Sequence, residues 1–200
     1  LERASLRLDT KEEHLLAIED LNKVIERSTD LNELEPAHHQ RAGSCEYVGD
    51  ISGLLSDLEW LIQHGLGTAN DYRWHGFYKE KVGAFQDALD DYTAAYQLEQ
   101  NDGILLKRAV MYYYLKRYKE SLQDLTKIIE SNKKHHPSKE TIYNWRGSVY
   151  YALGNEIEAL NDFRQAITLS NEIFPSVTQY IQKRGLPYMC PKKLRKSQKK

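Results

Sequence analysis

The sequence predicts an all-α solenoid of antiparallel helix pairs closed by a capping helix. Two observations carry that expectation. Ala42, Gly76, Ala109 and Gly147 recur at intervals near 34 residues, and each stands twelve residues before Leu54, Ala88, Ser121 and Ala159. Those positions in turn open the same apolar stripe, Leu58, Tyr92, Leu125 and Phe163 four residues on and Leu61, Ala95, Ile128 and Ala166 seven on. A fixed long period denotes one helix–turn–helix unit copied end to end, whose apolar face is buried only against its neighbours. Function then belongs to an extended surface rather than to a single deep pocket.

Each unit reads as two helices. In Tyr72 to Leu98 a first helix carries Tyr72, Gly76 and Lys79, a break follows at Lys81-Val82-Gly83, and Phe85, Ala88, Leu89, Tyr92, Ala95 and Tyr96 then form one buried stripe. Mid-helix glycine costs about 1 kcal/mol against alanine, so Gly76 and Gly147 imply a close helix–helix approach. Turns within units fall at Val48-Gly49-Asp50, Val82-Gly83, Lys116-Arg117 and Leu153-Gly154-Asn155. Breaks between units fall at Glu35-Pro36, Gly65-Leu66-Gly67, Asn101-Asp102-Gly103 and the longer run from Asn132 to Pro137, expected as a basic surface loop. No strand pattern is present. The residues from Ala17 to Leu21 repeat the pattern of Ala159 to Phe163, which makes 1–30 a degenerate leading unit headed by Arg3-Ala4.

The spacing and residue types resemble the tetratricopeptide repeat family. The resemblance implies a right-handed superhelix with units at 35–68, 69–101, 102–135 (with the extended loop) and 140–172, a capping helix at 174–184 and a basic tail at 185–200. Lys79 and Glu156 depart from the family pattern, since a large apolar residue is expected at each place.

Composition agrees with a folded chain: 200 residues, 40% hydrophobic and 28% charged. No apolar run approaches the roughly 20 residues of a membrane-spanning helix. The net charge is −1, and the six lysines and arginines of residues 191–200 leave the rest of the chain at −7. That basic end lacks interleaved aromatic residues and predicts no specific nucleic-acid binding. Only Cys45 and Cys190 occur, so no disulfide framework exists, and a reducing, cytoplasmic setting is expected, cytoskeletal or ciliary locations included. Opening on Leu1 in mid-pattern suggests a piece of a longer polypeptide.

Two charge columns run along the repeats. Asp20, Asp57, Asp91, Asp124 and Asp162 share one place in the second helices; Arg41, Arg108 and Arg146 share one in three first helices, with His75 in the remaining one. The expectation is a structural ladder in which each arginine grips a carboxylate or carbonyl of the preceding unit.

In the family that the chain resembles, the first helices line a concave groove for partners. Carried over unit by unit, the lining is His39, Gly43, Glu46 and Tyr47; Arg73, Phe77, Glu80 and Lys81; Leu106, Val110, Tyr113 and Tyr114; and Asn144, Ser148 and Tyr151. The partner-binding residues are taken as Tyr47, Arg73, Phe77, Lys81, Tyr113, Tyr114, Asn144 and Tyr151, an aromatic surface suited to a peptide or helix. The lysines and asparagines that clamp chaperone C-terminal tails in one subclass are replaced by His39, Gly43, Arg73 and Phe77, so such a tail is not the expected partner. His38-His39 and His135-His136 lack the further ligands of a metal site, and no phosphate loop or nucleophile motif occurs. No metal, cofactor or catalysis is expected. The chain reads as an adaptor or scaffold. The alternatives are a building block of a permanent assembly, such as a ciliary or microtubule-associated complex, and a regulatory module of an enzyme encoded elsewhere in the parent chain.

Overall fold

A computed structural model describes residues 10–131, 137–170 and 174–184. Ten helices occupy them: α1 (Lys11–Arg27), α2 (Leu31–Val48), α3 (Ile51–Gln63), α4 (Ala69–Lys81), α5 (Phe85–Leu98), α6 (Asp102–Tyr114), α7 (Tyr118–Ser131), α8 (Lys139–Ala152), α9 (Glu156–Ser170) and α10 (Pro175–Arg184). Among the described residues there is no strand. The expected Arg3-Ala4 start, the 132–136 stretch, Cys190 and the basic tail lie outside them.

Helix starts follow from their caps. Thr10 and Thr68 each form a reciprocal capping box, with Glu13 and Asp71 respectively. Asp30, Asp50 and Asn101 accept from the backbone of Asn32, Gly53 and Gly103. The Asp30 cap corrects the expected break at Glu35-Pro36. α2 begins at Leu31 and runs through Pro36. The missing proline N–H would have bonded the carbonyl of Asn32, still in the first turn, so a single bond is lost near a well-capped end.

Each hairpin turn repeats one motif. Asp50, Ala84, Arg117 and Asn155 donate their N–H to the carbonyls of Cys45, Lys79, Tyr112 and Tyr150, five residues back, at 2.8–2.9 Å. The residue before each donor is left-handed: Gly49, Gly83 and Gly154 have φ of 86°, 80° and 81°, and Lys116 has φ of 60°. That geometry satisfies orphan carbonyls and reverses the chain. Lys116 holds it without the freedom of glycine.

The hairpins α2–α3, α4–α5, α6–α7 and α8–α9 stack in chain order, each helix packing chiefly on its immediate neighbours, with first helices also meeting across units at α6–α8 and α8–α10. The core is accordingly a row of small clusters. Ala42, Cys45, Leu54 and Leu58 pack with Ile18 behind and Trp74 and Tyr78 ahead. Ala88, Leu89, Tyr92 and Ala95 meet Ile104, Val110 and Met111 of the next unit. Leu105, Ala109, Leu125 and Ile128 meet Ile142 and Val149. At the end, Val177 and Tyr180 of α10 cover Ala159, Phe163 and Ile167, as a solenoid cap must.

The small residues have the expected packing reason. A Cβ on Gly147 would lie 2.8 Å from the Phe163 ring, and one on Gly76 would lie 3.0 Å from Asp91 Cβ. Across from them on the second helices, Ser121 of α7 takes the place held by Ala88 and Ala159, its buried hydroxyl donating to the Ala109 carbonyl at 2.7 Å. Among the described residues no helix is long and apolar enough to cross a membrane.

Candidate partner-binding surface

The charge columns meet inside each hairpin. Antiparallel pairing of first and second helices sets residues sixteen apart opposite each other. Arg108 donates through Nε and Nη2 to Asp124 at 2.8 Å each, and Arg146 does so to Asp162 at 2.7 and 2.9 Å. Arg41 grips Asp57 at 3.0 Å through Nε and 2.6 Å through Nη2. The expectation of carboxylates from the preceding unit is therefore corrected, because the acceptor belongs to the arginine's own hairpin. Arg41 also reaches back, donating from Nη1 to Asn22 of α1 at 2.6 Å. At Asp20, the matching place on α1, Lys23 lies 2.9 Å away instead.

In the second hairpin His75 replaces arginine, its Nδ1 lying 2.8 Å from Asp91. Its Nε2 is 3.5 Å from Glu59, too long for a good hydrogen bond, and is buried. Burial alone would lower the His75 pKa. The hydrogen bond and charge of Asp91, with Glu59, outweigh it and raise the pKa above the usual value. His38 is the opposite case. Burial dominates and lowers its pKa despite Asp57 at 2.6 Å, and its ring stacks on Trp60 at 3.9 Å.

Of the expected groove residues, Arg73 and Phe77 line one open cavity, and Lys81 lies next to it against Phe77. Arg73 and Phe77 line a cavity of about 490 Å³ between α4 and α6, with Asn70, Trp74, Ile104 and Lys107. The Lys81 ammonium sits 5.2 Å from the Phe77 ring centre, and Lys107 sits 5.6 Å from the same ring. Behind them Glu80 holds Lys107 at 3.0 Å and accepts the Tyr92 hydroxyl at 2.9 Å. Burial, then Glu80, pushes the Tyr92 pKa up, which keeps that hydroxyl a donor.

The remaining expected residues lie elsewhere. Tyr113 meets Tyr118 and Trp145 at 5.7 and 5.5 Å, and Tyr114 stacks on Phe85 at 4.7 Å. Trp145 of α8 thus packs against the tyrosines at the end of α6. Asn144 accepts from Ser176 of α10, and Tyr151 meets Tyr180 edge-on at 5.2 Å, so the cap covers both. Tyr47 stacks on His14 at 4.0 Å and remains 56% exposed.

Trp74, Asn70, Ile104 and Lys107 were not among the sequence-derived candidates. A groove between two first helices is walled by the trailing face of one and the leading face of the next, so equivalent places do not both point into it. Helical spacing from Arg73 and Phe77 leads to Asn70 and Trp74; Ile104 and Lys107 need the inter-unit offset.

No cluster suited to a metal gathers among the described residues. Ser44 lies 3.2 Å from His14, but its hydroxyl is buried. Burial and the nearby Asp50 and Asp57 push the Cys45 thiol up to about 11, so it stays protonated.

Residues 140–173 match the family model described as tetratricopeptide repeat. Among solved structures, the chain is similar to YrrB, described as a tetratricopeptide repeat protein with an unusual peptide-binding site, with a TM-score of 0.71 and 14% identity over 86% of this chain and 84% of that one. It is similar to MamA, with a TM-score of 0.64 and 16% identity over 83% and 97%. It is also similar to the first such domain of Spaghetti (RPAP3), solved with the HSP90 peptide SRMEEVD, with a TM-score of 0.52 and 24% identity over 59% and 90%. No curated protein matches. At these identities the likeness establishes the fold, an all-helical solenoid of the tetratricopeptide repeat kind.

Proposed function

We propose that the chain is a non-catalytic protein–protein interaction module that binds a peptide segment in the groove between α4 and α6. The carrying observation is the cavity walled by Trp74, Phe77 and Ile104, with Arg73 and Lys107 at its polar side. Apolar walls with a few placed polar groups are the general form of a recognition site. Aromatic walls add contact area at little entropic cost. Peptide binding by the structurally similar YrrB and RPAP3 domains supports the same reading. His39, Gly43, Arg73 and Phe77 at the clamp places favour a partner other than a chaperone tail.

The test is selection of a displayed peptide library on the immobilised chain. Peptides should be retained by the native protein and lost on combining Trp74→Ala with Phe77→Ala, while Ile157→Ala at the far turn changes nothing. Retention by the double variant would refute groove binding.

One observation favours the second reading, a component of a larger permanent assembly. Val82 and Ile157, at two hairpin turns on the solenoid edge, are 78% and 76% exposed. Contacts of that kind would survive the Trp74 and Phe77 changes and fail on replacing Val82 and Ile157 with serine.

A further inference from the structure

Outside its last ten residues the chain is acidic, at −7, yet the α4–α6 cavity gathers cations. Lys81 and Lys107 flank the Phe77 ring, and the Arg73 guanidinium lies 5.7 Å from the Trp74 ring centre. Of the two carboxylates nearby, one is paired with a cation and the other keeps its charge, which leaves Arg73 and Lys81 in excess over Glu99. Glu80 takes both Lys107 and the Tyr92 hydroxyl, and Glu99 accepts from Asn101 at 3.1 Å. The rim asparagines are engaged too, since Asn70 accepts from Arg73 and Asn101 caps Gly103 at 2.8 Å. Arg73 and Lys81 are both exposed. They are cations of this rim placed to meet an incoming anion, on a stretch of chain whose net charge is otherwise negative.

We infer that the cavity selects an internal acidic segment of a partner protein, one apolar side chain seated between Trp74, Phe77 and Ile104, and flanking aspartates or glutamates paired with Arg73 and Lys81. This rests on the groove reading above and adds the charge and the internal position of the bound segment. Beyond α6, Trp145 packs on Tyr113, and α10 contacts Asn144 and Tyr151, so these side chains are already partnered within the chain. Recognition is therefore concentrated on a few residues around one anchor. A carboxylate beside the Arg73 guanidinium gains a charge-assisted hydrogen bond, which a serine or lysine at that place does not supply.

The experiment uses fluorescently labelled nonapeptides with acetylated N-termini and amidated C-termini, a central Trp, Phe or Leu, and flanks of Asp/Glu, Ser/Gly or Lys/Arg. Binding to the whole chain is read by anisotropy. The acidic set should bind at least about tenfold tighter than the serine set, a difference of about 1.4 kcal/mol, and the basic set weakest. Arg73→Glu with Lys81→Glu should reverse that order, while Arg164→Glu on α9 leaves it intact. Equal binding of acidic and serine sets, or an order unmoved by the double reversal, overturns the inference and leaves the groove reading standing. Binding only when the C-terminal carboxylate is left free overturns the internal-segment claim. Failure of all three sets both with amidated and with free C-termini overturns the groove reading with it.

Discussion

Arg146 on α8 and Asp162 on α9 form a two-pronged ion pair, 2.7 Å at Nε and 2.9 Å at Nη2, that ties the two helices of the last hairpin together. Asp162 is only 5% exposed, so the pair must be judged as a buried one. Its net worth against apolar residues is small, yet removing one partner leaves a buried charge uncompensated.

Arg146→Ala should therefore cost about 3 kcal/mol. Arg146→Lys should recover little of it, because an ammonium cannot reproduce the fork. Hydrogen exchange should show the lost protection concentrated in α8 and α9, since stability in a stacked array is largely local. Uniform loss along the chain would contradict the pairing as a hairpin clamp.

Gly147→Ala should destabilise by about 1–3 kcal/mol, because the new methyl meets the Phe163 ring at 2.8 Å and the Ala159 carbonyl at 3.2 Å. Chemical denaturation reads the loss. Phe163→Leu added to Gly147→Ala should cost less than the sum of the two single changes, whereas strict additivity would mean that the two residues do not touch.

Lys116→Gly should stabilise the chain by about 0.5–1 kcal/mol. Lys116 holds φ of 60° where the other three turns place glycine, and relief of left-handed strain outweighs the added chain entropy. The thermal midpoint should rise by roughly 2–4 °C per kcal/mol for a chain of this size. A fall would show that the lysine side chain contributes a contact worth more than the strain.

His75 makes the second hairpin responsive to pH. Its pKa is raised on folding by Asp91 and Glu59 against the opposing effect of burial. The folded state therefore holds the proton more tightly than the unfolded chain. That contribution is fully present below about pH 6.5 and is lost as pH rises through the higher folded pKa. His38, lowered by burial, acts in reverse: its contribution is present above about pH 6.5 and is lost as pH falls through the lower folded pKa. In urea titrations, His75→Gln should flatten the decline above pH 6.5, and His38→Gln the decline below it. Unchanged slopes in either variant would refute the corresponding assignment.

Much of this architecture was legible because packing repeats with the chain. Gly76 and Gly147 announced close contacts that the aromatic rings of Tyr92 and Phe163 supply. The arginine and aspartate columns were visible as columns, but their partnership within one hairpin depends on how the two helices are apposed, which periodicity alone does not encode. The groove was legible only on its α4 side. Arg73 and Phe77 stand at the carried-over places, whereas Ile104 and Lys107 enter from an offset face of α6. Trp145 stands one residue beyond a candidate place, and nothing local distinguishes a packed residue from a lining one. Pro36 misled for a different reason, since proline near a capped helix start is tolerated.

The central claim is that a partner segment lies between α4 and α6 of a stacked-hairpin solenoid. Its most direct test is photo-cross-linking from p-benzoylphenylalanine placed at position 77 or, separately, at position 157, using a peptide selected on the native chain. Cross-links to that peptide from position 77 and none from position 157 are the predicted result. Cross-links from position 157 with none from position 77 would place the partner on the turn edge and contradict the account.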